Sequence, residues 1–138
     1  MGLVLITHDL RVAFAMCDRI YVLYAGSLVE VSPAAELEAE ALHPYTQGLL
    51  LSEPPADRRM STLVAMSGIV PRADEVADCC TFAPRCRWAT QECRQAAPPL
   101  VQVASGRAPS DPLNHEPTDM IIARRCQLRH TAGRSRVC

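Results

Sequence analysis

Leu3-Val4-Leu5-Ile6-Thr7-His8-Asp9-Leu10 begins as a continuous apolar, branched run and ends at a residue suited to capping a helix. An apolar run with no polar alternation predicts a strand covered on both faces, as in a parallel sheet. Asp9 then caps a helix in which Leu10, Ala13, Phe14 and Cys17 recur at i, i+3, i+4 and i+7, forming one apolar stripe. Ile20 to Tyr24 and Ser27 to Val31 are β-prone runs flanking Ala25-Gly26. A glycine there supplies the positive φ of a tight antiparallel hairpin. Ser32 as N-cap with Pro33 at the first helical position predicts a helix through Ala41. Pro44 opens another through Leu51, stopped by Pro54-Pro55.

The chain has 138 residues, 49% of them hydrophobic, which leaves room for one modest core. All 14 basic residues are arginine, so lysine chemistry is excluded: there is no P-loop lysine and no Schiff base. No apolar run approaches the ~20 residues that span a bilayer. The amino terminus lacks the basic and longer apolar regions of a signal peptide, and a cytosolic location is expected. Charge divides at Pro71, with four Arg against eight acids before it (−4) and ten against seven after it (+3). Six of the seven cysteines, Cys79, Cys80, Cys86, Cys93, Cys126 and Cys138, fall in the second half. These shifts suggest α/β material over 1–53, a linker over 54–67, a cysteine-containing segment over 68–130 and a basic tail over 131–138.

Two constellations could carry chemistry. His8 follows the expected strand and precedes the expected helix, where open α/β sheets place their ligands. A lone histidine there is otherwise a surface residue. Cys80-x5-Cys86-x6-Cys93, with Cys126 after a further 32 intervening residues, departs from the C-x2-C pair of common zinc modules. Soft thiolates suit zinc or an iron–sulfur cluster, and spacing does not choose between them or exclude plain apolar packing. Arg124, Arg125, Arg129, Arg134 and Arg136 form a basic tail, but a single Trp offers no stacking platform and no nucleic acid is expected. Glu36, Glu38 and Glu40 are expected on a solvated helix face, and Tyr45 as a packing residue.

Leu5-Ile6-Thr7-His8-Asp9-Leu10, Cys17-Asp18-Arg19-Ile20 and Tyr24-Ala25-Gly26-Ser27-Leu28-Val29-Glu30 resemble, in order and spacing, the switch-histidine region of ABC-transporter ATP-binding subunits. His43-Pro44-Tyr45-Thr46-Gln47-Gly48-Leu49-Leu50, Gly68-Ile69-Val70-Pro71 and Cys80-Thr81-Phe82-Ala83-Pro84-Arg85-Cys86 resemble its oligopeptide/dipeptide import branch. The resemblance runs from residue 2 to about residue 130 and corresponds to the carboxy-terminal portion of such a subunit. The chain has no G-x-x-x-x-G-K-[ST] loop, no Leu-Ser-Gly-Gly-type signature and no apolar strand ending in Asp-Glu.

The resemblance implies a partial P-loop NTPase fold of the ABC type, an α/β arrangement of one strand, helices and a β-hairpin followed by an irregular cysteine-rich tail. It gives His8 the γ-phosphate contact, with ATP and magnesium held only in the intact subunit. Cys80, Cys86, Cys93 and Cys126 fall on positions that hold a [4Fe-4S] cluster in this branch, zinc being the alternative. Cys79 stands where glycine is usual and could replace Cys80. Implied partners are two permease subunits, a second ATP-binding subunit and the amino-terminal part of the same subunit, on the cytoplasmic face of the membrane. Without phosphate loop and metal site, the chain alone is expected not to hydrolyse ATP. The rival reading is a stand-alone cysteine-ligated metal or iron–sulfur module with an Arg-rich tail. The strand Leu3–Ile6, short of sheet neighbours, would expose an apolar edge and lower solubility.

Overall fold

The computed structural model describes residues 2–54, 65–72, 78–104 and 119–123. Its elements are α1 (Leu10–Met16), β1 (Arg19–Tyr24), β2 (Ser27–Pro33), α2 (Ala34–Ala39), α3 (Pro44–Ser52), a 3-10 turn (Ala83–Arg85), α4 (Gln91–Gln95), β3 (Leu100–Ala104) and β4 (Asp119–Ala123). The arrangement is mixed α/β. No helix among the described residues is long and apolar enough to cross a membrane.

Local signals account for α1, the hairpin and α3. Asp9 Oδ1 accepts from the Arg11 and Val12 amides at 2.9 and 3.2 Å, satisfying donors that a helix start leaves open. Ala13 turns the expected stripe into the core, with Phe14 and Cys17 packed against it. β1 and β2 pair antiparallel around a two-residue loop in which Ala25 (φ 46°) and Gly26 (φ 78°) both take positive φ. That backbone matches the right-handed twist of the flanking strands. Pro44 occupies the start of α3, where its missing amide hydrogen costs nothing.

The register between β1 and β2 slips once. Leu23 faces Leu28 and Val22 faces Glu30, so Val29 is the extra residue of a bulge. Beyond it, Glu30 and Ser32 lie opposite Val22 and Ile20, on the face that is buried.

Three expectations are corrected. Leu3–Ile6 forms no strand; none of the described strands pairs with it, and Leu3, Val4 and Ile6 are 75%, 88% and 95% exposed. A strand covered on both faces exists only when neighbours are present, and the sheet here is built from other residues. The helix expected from Pro33 to Ala41 runs from Ala34 to Ala39; Ser32 pairs in β2 and Pro33 stands at the N-cap without a side-chain cap bond. The segment after residue 68, expected to be irregular, contributes β3 and β4, which complete a four-stranded sheet in the order β1-β2-β4-β3. In the register, Glu30 faces Ile122 and Val31 faces Ile121 across β2 and β4, while β3 and β4 pair from Leu100 with Ala123 to Ala104 with Asp119.

One core draws on both halves of the chain. Ala13, Ile20, Val22, Tyr24, Val29, Ala34 and Leu37 form a single buried cluster with Cys80, Phe82, Ala83, Cys86 and Cys93. Tyr24, Tyr45 and Phe82 stack mutually, with ring centroids 4.6 Å (Tyr24–Tyr45), 5.2 Å (Tyr24–Phe82) and 5.6 Å (Tyr45–Phe82) apart, and join hairpin, α3 and cysteine loop.

Candidate functional site

His8 sits on an exposed bend directly before the Asp9 cap. The Thr7 hydroxyl accepts from the Asp9 amide at 3.0 Å, and the Asp9 carboxylate is engaged with the first turn of α1. The local backbone therefore leads the chain through His8 into the helix and leaves the imidazole on the surface. At the far end of α3, Glu53 Oε1 accepts from Arg11 Nε at 3.1 Å and the Pro54 carbonyl accepts from Arg11 Nη2, tying the end of α3 to the first turn of α1.

The cysteine loop is built differently. Cys80 and Cys93 approach through the backbone, with the Cys80 amide donating to the Cys93 carbonyl at 2.9 Å. The Ala83 amide donates to the Cys80 carbonyl at 3.0 Å and the Cys86 amide to the Ala83 carbonyl at 3.4 Å, which winds the chain through the 3-10 turn. Thr90 caps α4, and its hydroxyl lies 3.3 Å from Cys93 Sγ. Cys80, Cys86 and Cys93 are all buried and gathered in the shared core. Cys79, a free thiol, is half-buried beside them in sequence. Cys126 lies outside the described residues, as do His115, His130, Cys138 and the Arg124–Arg136 run.

Three of the four expected cysteines are thus drawn together in the core. Among the described residues, no three His, Cys, Asp or Glu side chains are grouped so that they could hold a metal ion. His8, exposed on the surface, does not join the buried cysteines. The chemistry of the donors fits a soft metal or an iron–sulfur cluster; their described arrangement does not yet make a ligand set.

A polar cluster that the sequence reading left out lies under α3. Glu30 is fully buried, and its carboxylate accepts from the Leu42 amide at 2.7 Å and the His43 amide at 3.1 Å. The Thr46 hydroxyl lies beside the same carboxylate. Burial pushes the Glu30 carboxyl above its ordinary range, opposed by Thr46 and the two amides. His43, 1% exposed, caps α3 by accepting from the Tyr45 amide at Nδ1, 3.1 Å, with Phe82 5.8 Å from its ring. Burial lowers its pKa to about 4, so the imidazole is neutral and free to accept at neutral pH. The available signal was Glu30 inside the apolar run Leu28-Val29-Glu30-Val31.

Comparison with known proteins identifies what this arrangement is similar to. Residues 29–93, from β2 through the last of the three buried cysteines, match the family described as oligopeptide/dipeptide transporter, C-terminal region. The oligopeptide transport ATP-binding protein AppD of Bacillus subtilis is 44% identical over 106 residues, covering 77% of this chain and 32% of that protein. The dipeptide transport ATP-binding protein DppD of Haemophilus influenzae is 40% identical over 117 residues, covering 84% of this chain and 36% of that protein. The chain spans about a third of the length of these relatives.

Proposed function

Residues 29–93 belong to the oligopeptide/dipeptide transporter C-terminal region family, and from that premise we propose that the chain serves as the carboxy-terminal part of a peptide importer's ATP-binding subunit. The observation that carries this is the 44% identity over 77% of the chain to an oligopeptide transport ATP-binding protein. In this reading His8 is the switch residue: its exposed imidazole donates a hydrogen bond to the γ-phosphate of ATP held by the rest of the subunit. ATP with magnesium supplies the phosphoryl chemistry when bound, and His8 only positions and neutralises one end of it. The chain works at the cytoplasmic face of the membrane with permease subunits and a second ATP-binding subunit.

The test is a chimera in which this chain replaces the matching part of the Bacillus subtilis relative. The chimera is expected to hydrolyse ATP, and His8→Ala to lower turnover about 100-fold, the cost of one positioned donor at a developing anion. The chain alone is expected to release no phosphate above its own His8→Ala variant. Magnesium-dependent ATP binding by the chain alone would overturn the reading.

Cys80, Cys86 and Cys93, with Cys126, are the proposed ligands of a [4Fe-4S] cluster, zinc being the alternative. Supporting it are three cysteines gathered in one buried region. Anaerobic reconstitution with iron and sulfide should give a stable brown protein containing four irons, reduced in yield by Cys93→Ser. A colourless protein that instead takes up one zinc favours the alternative, and one that takes up neither leaves the thiols as core residues.

A further inference from the structure

Residues 65–68 run across the surface as a strap, exposed except at Met66, and among the described residues two contacts fix them. The Met66 side chain lies on Gly48 of α3, so close that a Cβ there would stand 2.5 Å from Met66 Sδ. The second contact is Arg85, reaching over from the cysteine loop. Its Nε donates to the Ser67 carbonyl at 2.9 Å, its Nη2 to the Met66 carbonyl at 3.2 Å, and its Nη1 to the Tyr24 hydroxyl at 3.3 Å. The guanidinium also stands 5.9 Å from the centre of the Tyr24 ring. The strap is shaped to receive it: Gly68 takes φ +85°, and a Cβ there would meet Arg85 Cγ at 3.0 Å.

We infer that Arg85 is a clasp, a side chain that closes the 65–68 strap over α3 and ties it to the cysteine loop and the hairpin tip. The planar fork of a guanidinium satisfies three acceptors in divergent directions, which a point charge cannot do. Arg85 ends the 3-10 turn and directly precedes Cys86, so the position of the clasp is set by the path of the cysteine loop. A change in that loop releases the strap without unfolding the hairpin, because the strap adds only the Met66 side chain to the core.

Oxidation of Met66 by hydrogen peroxide in the full chain, followed by peptide mass spectrometry, tests it. Arg85→Gln should raise the Met66 oxidation rate about tenfold or more while hydrogen–deuterium exchange in peptides covering 20–31 keeps its wild-type rate. Arg85→Lys, retaining charge but losing the fork, should restore protection of Met66 only in part, and Tyr24→Phe should leave the strap closed because both carbonyl contacts persist. Should Arg85→Gln fail to fold, Gly68→Ala carries the test: a methyl group against Arg85 Cγ, on a backbone already at positive φ, should expose Met66 in the same way. Wild-type Met66 oxidation in Arg85→Gln and Gly68→Ala, or Met66 oxidation and hairpin exchange rising by one common factor, overturns the inference.

Discussion

His43 connects burial to acid sensitivity through a single lone pair. Its Nδ1 accepts from the Tyr45 amide and caps α3, which the protonated ring cannot do. With the folded pKa lowered from 6.5 to about 4, the folded state prefers the neutral ring. Its contribution is fully present above the unfolded pKa and is lost as pH falls from about 6.5 towards 4. At 1.36 kcal/mol per unit that amounts to about 3 kcal/mol, a large part of a small domain's stability. Glu30 works in the opposite sense. Its raised pKa means a penalty at neutral pH that is relieved as the carboxyl takes up a proton, so it offsets part of the histidine loss in acid. Urea midpoints of the wild type should therefore fall between pH 7 and pH 4.5. His43→Asn, which keeps an acceptor at the N-cap but removes the titration, should start lower and vary less; equal slopes would show that the acid sensitivity lies elsewhere. Glu30→Ala strips the Leu42 and His43 amides of their acceptor and should cost about 2–5 kcal/mol at pH 7, read from the same midpoints.

Among the elements, those specified by adjacent residues were legible and those specified by distant ones were not. The Asp9 cap, the apolar stripe of α1 and Pro44 at the head of α3 act within one or two turns, and each element stands where its signals put it. Leu3–Ile6 has the composition of a strand, but strand formation is completed by partners, and the described residues give it none. β3 and β4 were missed for the converse reason: they owe their ladder to pairing with each other and with β2, a relation no local pattern carries. The bulge at Val29 hid Glu30. A two-residue loop with unbroken register would set Glu30 opposite Tyr21, on the exposed face; the extra residue turns it inward opposite Val22. The same hairpin offers a test of its turn. Ala25 at φ 46° sits in the left-handed region, which costs an alanine roughly 1 kcal/mol and an asparagine less. Ala25→Asn, creating Asn-Gly, should raise the thermal midpoint by several degrees; a lowered midpoint would mean that the loop is held by contacts other than its own backbone preference.

For the molecule taken together, the shared core and the exposed amino-terminal run pull in different directions. Cys80, Phe82, Ala83, Cys86 and Cys93 pack with residues of the hairpin, α1 and α2, so the cysteine loop stabilises the half of the chain that carries His8. The sequence indicated the residue types of the candidate sites but not this union, since the contacts that make it join positions some sixty residues apart. Leu3, Val4 and Ile6 lie outside the core, and with Val12 and Met16 of α1 also exposed they present apolar surface to water. Such a surface, with unpaired backbone beside it, recruits further chains through edge pairing and apolar contact. Self-association that grows with concentration is expected in light scattering. Val4→Lys with Ile6→Lys should suppress it at little cost in stability, because both side chains are already almost wholly in water and give up no packing. Like charges placed two residues apart would also repel a second copy approaching the same edge. If the double variant associates as strongly as the wild type, the contact lies on another apolar surface, for which Tyr21 and Leu23 on the outer face of β1 are the next positions to substitute.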